Sequence, residues 1–168
     1  MENAENIAFI RRFMEACVRA DPEEFGSYFT EDATWWNMPW KPVTGRDAIR
    51  DTLRRGANSM VALPWEILHI VADDDIVMVE RVDNFLVGET RVRVPCMGVF
   101  ELRGGKIAAW RDYWDLEQFE RQLPTAPDCV VIAPDCAEQR AQVDAAAAPT
   151  AATSLVRTCS QRESGGRE

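Results

Sequence analysis

Three charged residues stand on strand faces that are otherwise apolar. Side chains two positions apart share a face of a strand. One face of a run in the middle of the chain reads Val77, Val79, Arg81, Asp83 and Phe85. Farther along, Asp112 shares a face with Trp110 and Trp114. Burying such charges costs several kcal/mol per ion unless they are paired, so we predict that Arg81, Asp83 and Asp112 meet in one apolar pocket. The alternative is a surface ion pair, with the two faces of the first strand inverted.

Two carboxylates beside one guanidinium can move protons in two directions. Burial and the second carboxylate raise a carboxyl pKa, whereas the guanidinium lowers it, and the two titrations are coupled. A pair that holds one proton can protonate one oxygen while it deprotonates another. This pattern suits the opening of a strained ether by water.

The histidine and cysteine content argues against a zinc site, a Ser-His-Asp triad and a disulfide framework. His69 is the only histidine, and it lies in a strand-like run, so it is expected to be structural. Its isolation disfavours a zinc site or a Ser-His-Asp triad. The five cysteines are odd in number and include no CxxC pair, which fits a reducing compartment better than a disulfide framework. We expect neither a metal nor a cofactor.

Helices are predicted before the strands that carry these charges. Ile7, Ile10, Met14 and Cys17 recur at helical spacing. A second helix is predicted to start at Asp21-Pro22-Glu23-Glu24, and a capping box at Thr44-Gly45-Arg46-Asp47 opens a third that runs through Arg55. A last helix is predicted over Leu116–Leu123.

The strands follow one another through short links of turn residues. A short strand is predicted at Ala33–Asn37, and longer ones at Pro64–Ala72, Ile76–Val87, Thr90–Leu102 and Lys106–Trp114. Short links mean antiparallel neighbours. The predicted fold class is α+β, a curved antiparallel sheet packed with three to four helices into a cone.

The chain divides into two regions of different composition. Its 168 residues favour one folded domain, which we place at residues 1–123. From residue 124 to residue 168 there is no aromatic residue, and this tail is predicted to be disordered. A partner-binding tail is the alternative. A net charge of −9 is a poor match for nucleic acid or an anionic membrane. An acidic N-terminus and the lack of a long apolar stretch favour a cytoplasmic location.

Four short motifs resemble the limonene-1,2-epoxide hydrolase family. They are Asn37-Met38-Pro39 with Gly45-Arg46-Asp47-Ala48, then Glu80-Arg81-Val82-Asp83, then Gly98-Val99-Phe100-Glu101-Leu102, and last Trp110-Arg111-Asp112-Tyr113-Trp114-Asp115-Leu116. The resemblance runs in order from the first helix to Leu123. It implies a cone of the nuclear transport factor 2-like (SnoaL-like) type, dimeric through the sheet, that acts on a small apolar epoxide and water.

The resemblance also implies roles for single residues. Asp112 would be the base on the attacking water, and Asp83 the acid that protonates the epoxide oxygen. Arg81 would hold both carboxylates, and Asn37 would accept a hydrogen bond from the water. Where the family has a water-holding Tyr, this chain has Trp35, whose indole N–H can donate to the water but cannot accept. Trp35 would then donate to the water while Asn37 and Asp112 accept; the alternatives are a damaged water site or a different substrate. The implied pocket wall consists of Met14, Cys17, Met60, Phe85, Val94, Cys96, Trp114 and Phe119.

Other functions on the same scaffold stay open. A ketosteroid-isomerase-like enzyme or a polyketide cyclase is one alternative, since fold does not fix function. An isomerase needs an oxyanion donor, often a Tyr, and the only tyrosines are Tyr28 and Tyr113. A non-catalytic module that binds a lipophilic ligand is the other alternative.

Overall fold

Four helices and six strands make up the part of the chain that a computed structural model describes, residues 3–57 and 59–123. The helices are α1 (Asn3–Arg19), α2 (Pro22–Ser27), α3 (Arg46–Ala57) and α4 (Leu116–Glu120). The strands are β1 (Phe29–Asn37), β2 (Val43–Thr44), β3 (Val61–Asp73), β4 (Ile76–Val87), β5 (Thr90–Arg103) and β6 (Lys106–Trp114). The predicted tail from residue 124 lies outside the described residues, so the division at residue 123 stays a prediction.

The six strands form one curved sheet in the order β2-β1-β6-β5-β4-β3. The long strands β3 to β6 are antiparallel neighbours, as their short links predict. Strand β1 is different because it lies parallel to β6 and pairs Asn37 with Asp112. The predicted α+β cone is confirmed, but the expectation of a wholly antiparallel sheet is wrong at this one pair.

The N-terminal helices pack on one face of the sheet because their apolar stripes match helical spacing. Ile10, Phe13 and Cys17 of α1 are buried in the main core with strand residues such as Val79 and Phe100. The predicted start of the second helix is correct: the Asp21 carboxylate accepts hydrogen bonds from the backbone of Glu23 and Glu24.

Strand β3 begins three residues earlier than predicted. Pro64 predicts the start of the strand, since proline has no N–H to donate to a neighbouring strand. In the structure Pro64 lies inside the strand, where the pairing with β4 shifts between Leu63 and Glu66. The irregularity and the position of β3 at the edge of the sheet accommodate the proline.

Helix α4 is shorter than predicted and ends at Glu120. Beyond it, the Gln122 side chain donates to the Arg93 carbonyl and accepts from the Arg93 N–H, both at 2.9 Å. Strand β6 ends opposite Cys96, so among the described residues no strand pairs with this part of β5 on that side. The glutamine takes the place of a strand there. Among residues 3–57 and 59–123, no helix has the length and apolar character needed to cross a membrane.

Candidate active site

The Arg81 side chain joins the two predicted carboxylates inside the protein. Its Nε and Nη2 donate to both oxygens of Asp83, at 2.7 and 3.0 Å, and its Nη1 donates to Asp112 Oδ1 at 2.9 Å. The three residues are only 1%, 7% and 4% exposed, in that order of mention. The face assignment predicted for these strands therefore holds, and a surface ion pair is excluded.

Aromatic rings enclose this charged cluster. Trp110 Nε1 donates to Asp112 Oδ1 at 2.8 Å, so that oxygen accepts two hydrogen bonds. The Arg81 guanidinium carbon lies 5.1 Å from the ring centre of Trp65 and 6.0 Å from that of Trp110. These distances allow cation–π contacts, which help to offset the loss of water around the buried cation.

Gly98 leaves the space in which the cluster forms. In the sheet it lies between Val79 of β4 and Asp112 of β6. A Cβ atom at this position would clash with Arg81 Nη1 and lie 3.0 Å from Asp112 Oδ1. The absence of a side chain at residue 98 therefore allows the guanidinium to reach across β5 to the carboxylate on the next strand.

Burial and the neighbouring charges shift the pKa values of the cluster in different directions. Burial raises the pKa of Asp83 to about 6, although the Arg81 charge and its hydrogen bonds lower it and the Asp112 charge raises it. Burial alone would lower the pKa of Arg81, but the charges of Asp112 and Asp83 outweigh burial and raise it. The guanidinium stays charged, whereas Asp83 exchanges its proton near neutral pH.

Two buried thiols lie on the same cavity wall. Burial raises the pKa of Cys17 and of Cys96 well above the ordinary thiol value. Both thiols are therefore protonated and unreactive as nucleophiles at neutral pH.

Asn37 and Trp35 lie on β1 beside these residues, but their side chains have different surroundings. Trp114 Nε1 donates to Asn37 Oδ1 at 2.6 Å. The Trp35 ring stacks on Trp110 with 4.9 Å between ring centres, and its Nε1 is buried without a hydrogen-bond partner among the described residues. A water-holding role for Trp35 therefore stays a prediction.

The cluster opens onto a cavity of about 130 Å³. Most of the predicted wall lines it, namely Cys17, Met60, Phe85, Val94, Cys96, Trp114 and Phe119. The exception is Met14, which packs in the main core and does not line the cavity. Helical spacing places Met14 on the buried side of α1 but does not separate core positions from cavity positions.

Several lining residues were not predicted. Helix α3 contributes Thr52, Leu53 and Gly56, which share one face of the helix and could have been found from their spacing. Trp110 could have been found as well, because it shares the face of Asp112. Ala62 and Trp65 both line the cavity although they are an odd number of residues apart. The pairing shift in β3 breaks the alternation, so no parity rule could have found both.

Residues 10–110 match the SnoaL-like domain family. The chain belongs to this family. It is 30% identical over 107 residues to the epoxide hydrolase EphG of Mycobacterium tuberculosis, with 64% of this chain and 71% of EphG covered. A solved LEH-like epoxide hydrolase from M. tuberculosis is 28% identical with a TM-score of 0.66, covering 73% of this chain and 92% of that one.

A more distant neighbour shows the fold alone. The epoxide hydrolase/cyclase-like enzyme SalBIII, described for pyran ring formation in the polyether salinomycin, is 22% identical with a TM-score of 0.61. The match covers 68% of this chain and 94% of SalBIII. Together these relatives confirm the nuclear transport factor 2-like fold and the predicted resemblance to epoxide hydrolases.

Proposed function

We propose that the protein adds water to a compact apolar epoxide and releases a vicinal diol. The observation that carries the proposal is the Arg81 bridge between two buried carboxylates at the wall of an aromatic cavity. The relatives that are named epoxide hydrolases support it. The resemblance to limonene-1,2-epoxide hydrolases supplies the roles below, and the cavity volume of about 130 Å³ favours a small substrate.

Asp112 acts as the base on the attacking water. Arg81 and Trp110 both donate to its Oδ1, and neither bond involves Oδ2, which is the oxygen we assign to the water. The two donors also hold the carboxylate in one orientation. A fixed base that lies within hydrogen-bond reach of the water can remove its proton as the carbon–oxygen bond forms.

Asp83 acts as the acid. With a pKa of about 6, roughly one molecule in ten carries the proton at pH 7, and more do so at lower pH. In one step, the water oxygen bonds to an epoxide carbon and the ring carbon–oxygen bond breaks. The water loses a proton to Asp112, and the ring oxygen takes a proton from Asp83. Arg81 remains charged throughout and favours the negative charge that develops on the ring oxygen. A later proton transfer from Asp112 back to Asp83 completes the cycle.

Single-turnover hydrolysis in heavy-oxygen water tests the mechanism. Styrene oxide, cyclohexene oxide and limonene oxide are suitable small epoxides. The label should enter the diol in the first turnover, since no carboxylate ester forms. Label that is absent from the first turnover would indicate a covalent intermediate and contradict the one-step reaction.

Substitution of each carboxylate tests the assignment of roles. Asp83→Asn and Asp112→Asn should each lower kcat by about 10²- to 10⁴-fold, the usual contribution of a general acid or base. Asp75→Asn removes an exposed carboxylate in the turn between β3 and β4 and serves as the control. Circular dichroism establishes that each variant folds. Full activity in Asp112→Asn would contradict the proposal.

An isomerase and a non-catalytic binding module, the two alternatives from the sequence, would give different results in these assays. Neither tyrosine lines the cavity: Tyr113 is 45% exposed, and Tyr28 packs on Phe9 and Phe13. An isomerase would therefore have to find its oxyanion donor elsewhere, for example in protonated Asp83. Binding of epoxides without turnover would favour a ligand-binding module instead.

We also propose that a second copy of the chain covers the outer face of the sheet. This face carries exposed apolar side chains at Trp36, Met78, Met97 and Tyr113, on the side opposite the cavity. Glu101 and Arg111 form an ion pair on the same face, so it carries both signs of charge. In a dimer with a two-fold axis, this surface would contact the same surface of the second copy.

A further inference from the structure

Trp114, the last residue of β6, forms a hydrogen bond with Asn37 of β1, which lies 77 positions away in the chain. Trp114 Nε1 is 2.6 Å from Asn37 Oδ1, and both residues line the cavity. An indole N–H can donate but cannot accept, so the Asn37 atom that faces it must be the oxygen. The hydrogen bond therefore fixes which end of the Asn37 amide points toward Trp114.

The donor is itself held in place from two directions. The Trp114 ring meets Phe119 of α4 edge-on, with 5.7 Å between ring centres and 81° between planes. Trp40 packs against it at 5.0 Å. Neither neighbour competes for the indole N–H, because both contacts are made by aromatic rings. The orientation of Asn37 is thus set by a side chain that packing has already fixed.

Asn37 stands directly beside the proposed base. The two residues are partners across the parallel pair of β1 and β6, and the Met38 N–H donates to the Asp112 carbonyl at 3.1 Å. An amide oxygen has two lone pairs, and Trp114 occupies one of them. The other is an acceptor next to the acceptor that Asp112 provides.

We infer that Trp114 is a positioning residue that holds the Asn37 oxygen as an acceptor for the attacking water. When Asn37 and Asp112 accept the two protons of the water, both lone pairs of its oxygen are free, and one attacks the epoxide carbon. A flipped amide would turn its N–H₂ group against the indole N–H. It would also offer the water a donor, which would occupy a lone pair needed for attack. The inference rests on the proposed hydrolase function.

Removal of the indole N–H alone tests the inference in the active enzyme. Trp114→Phe keeps an aromatic ring against Phe119 and should lower kcat by about 3- to 10-fold, with KM changed less than about twofold. In an Asn37→Ala background the same substitution should cause no further loss, because Trp114 acts through Asn37. An equal loss in both backgrounds would show that Trp114 only shapes the cavity, and would overturn the inference. Tyr113→Phe, at the neighbouring exposed position, is the control.

A second readout does not depend on activity. In nitrogen-15-labelled protein, the Trp114 indole proton should exchange slowly with solvent, and Asn37→Ala should shift its resonance and speed its exchange. Trp114→Phe identifies the signal. If the enzyme is active but Asn37→Ala changes neither the shift nor the exchange rate of the Trp114 indole proton, the positioning role is overturned while the proposed hydrolase function stands. A wild-type protein that hydrolyses no epoxide overturns the proposed function, and with it the catalytic part of the inference.

Discussion

Two features of the surroundings of Asp83 act in opposite directions on its ionisation. Burial favours the neutral acid, and the bidentate Arg81 favours the carboxylate. The net effect raises the pKa of Asp83 to about 6, above that of an ordinary aspartate. A residue poised in this way can give up a proton during the reaction and regain it between turnovers.

The pH dependence of the reaction should follow the acid form of Asp83. A raised pKa keeps the proton on the carboxyl up to higher pH, and the acid form is lost as the pH rises above about 6. We expect kcat/KM to fall by about tenfold per pH unit on that alkaline side. Initial rates on a neutral epoxide between pH 5 and pH 9 measure this. A kcat/KM that stays constant from pH 6 to pH 9 would argue against Asp83 as the acid.

Gly98 should contribute to catalysis because it leaves room for the contact between Arg81 and Asp112. Gly98→Ala places a methyl group where Arg81 Nη1 lies, so the guanidinium must move and its bond to Asp112 is lost or lengthened. Loss of a charge-assisted hydrogen bond of this kind should lower kcat by about 10- to 100-fold. The same steric overlap should cost about 1–3 kcal/mol of unfolding free energy. Steady-state kinetics and urea denaturation measure the two effects.

Gly26→Ala provides the matched control for this experiment. Its new Cβ would meet only the flexible Arg50 side chain, at 3.4 Å, and Gly26 does not line the cavity. We expect this variant to keep the wild-type kcat. Gly98→Ala with wild-type kcat would show that Arg81 does not need this space to hold Asp112 in its active orientation.

Single-residue patterns predicted the charged cluster but not its aromatic surroundings. Alternation along β4 and β6 places Arg81, Asp83 and Asp112 on apolar faces. This placement is informative because a charged side chain on a buried face is unusual in any protein. No comparable anomaly marks Trp65 or the bond between Trp114 and Asn37. A tryptophan on an apolar face is ordinary, and its hydrogen-bond partner lies on a distant part of the chain.

At the level of elements, helix α4 closes the cavity with only a few residues. Its Phe119 packs on Trp114, and the Gln122 side chain just beyond it forms hydrogen bonds to the β5 backbone at Arg93. A helix of this length has little stability of its own. Its position therefore depends on these tertiary contacts.

Removal of the Gln122 side chain should loosen that closure. Gln122→Ala deletes two hydrogen bonds to the backbone of Arg93, and we expect it to lower the unfolding free energy by about 1 kcal/mol. Because Phe119 then holds the wall less firmly, KM should rise more than kcat falls. Denaturant unfolding and steady-state kinetics measure these effects. Gln118→Ala, one turn earlier and exposed, is the control, and equal effects in the two variants would contradict this role.

The order of elements could be predicted from the sequence, but not every neighbour relation. Turn residues between β3, β4, β5 and β6 imply antiparallel pairs because short links allow little else. The parallel pairing of β1 with β6 brings together distant segments, as the pair Asn37 and Asp112, 75 residues apart, shows, and no local pattern encodes it. That pairing also builds the water side of the proposed site.

At the scale of the whole molecule, the two faces of the sheet have different surroundings. Its inner face holds the charged cluster and packs against helices, whereas its outer face exposes Met97 at 41% and Tyr113 at 45%. Large exposed apolar patches usually mark interaction surfaces. Because the cavity opens on the inner side, a partner on the outer face leaves substrate access free.

Met97→Glu should separate the proposed dimer without disabling the site. Met97 lies between Glu80 and Tyr113 in the sheet, so a new carboxylate there adds to an existing negative charge and meets its own copy across a two-fold axis. Sedimentation or light scattering should give twice the mass of one chain for the wild type and the mass of one chain for the variant. Ala8→Glu, on an exposed position of α1, should keep the wild-type mass. A wild-type protein that sediments as a single chain at micromolar concentration would rule out the dimer. A monomeric Met97→Glu that still hydrolyses epoxide would show that each cavity works on its own.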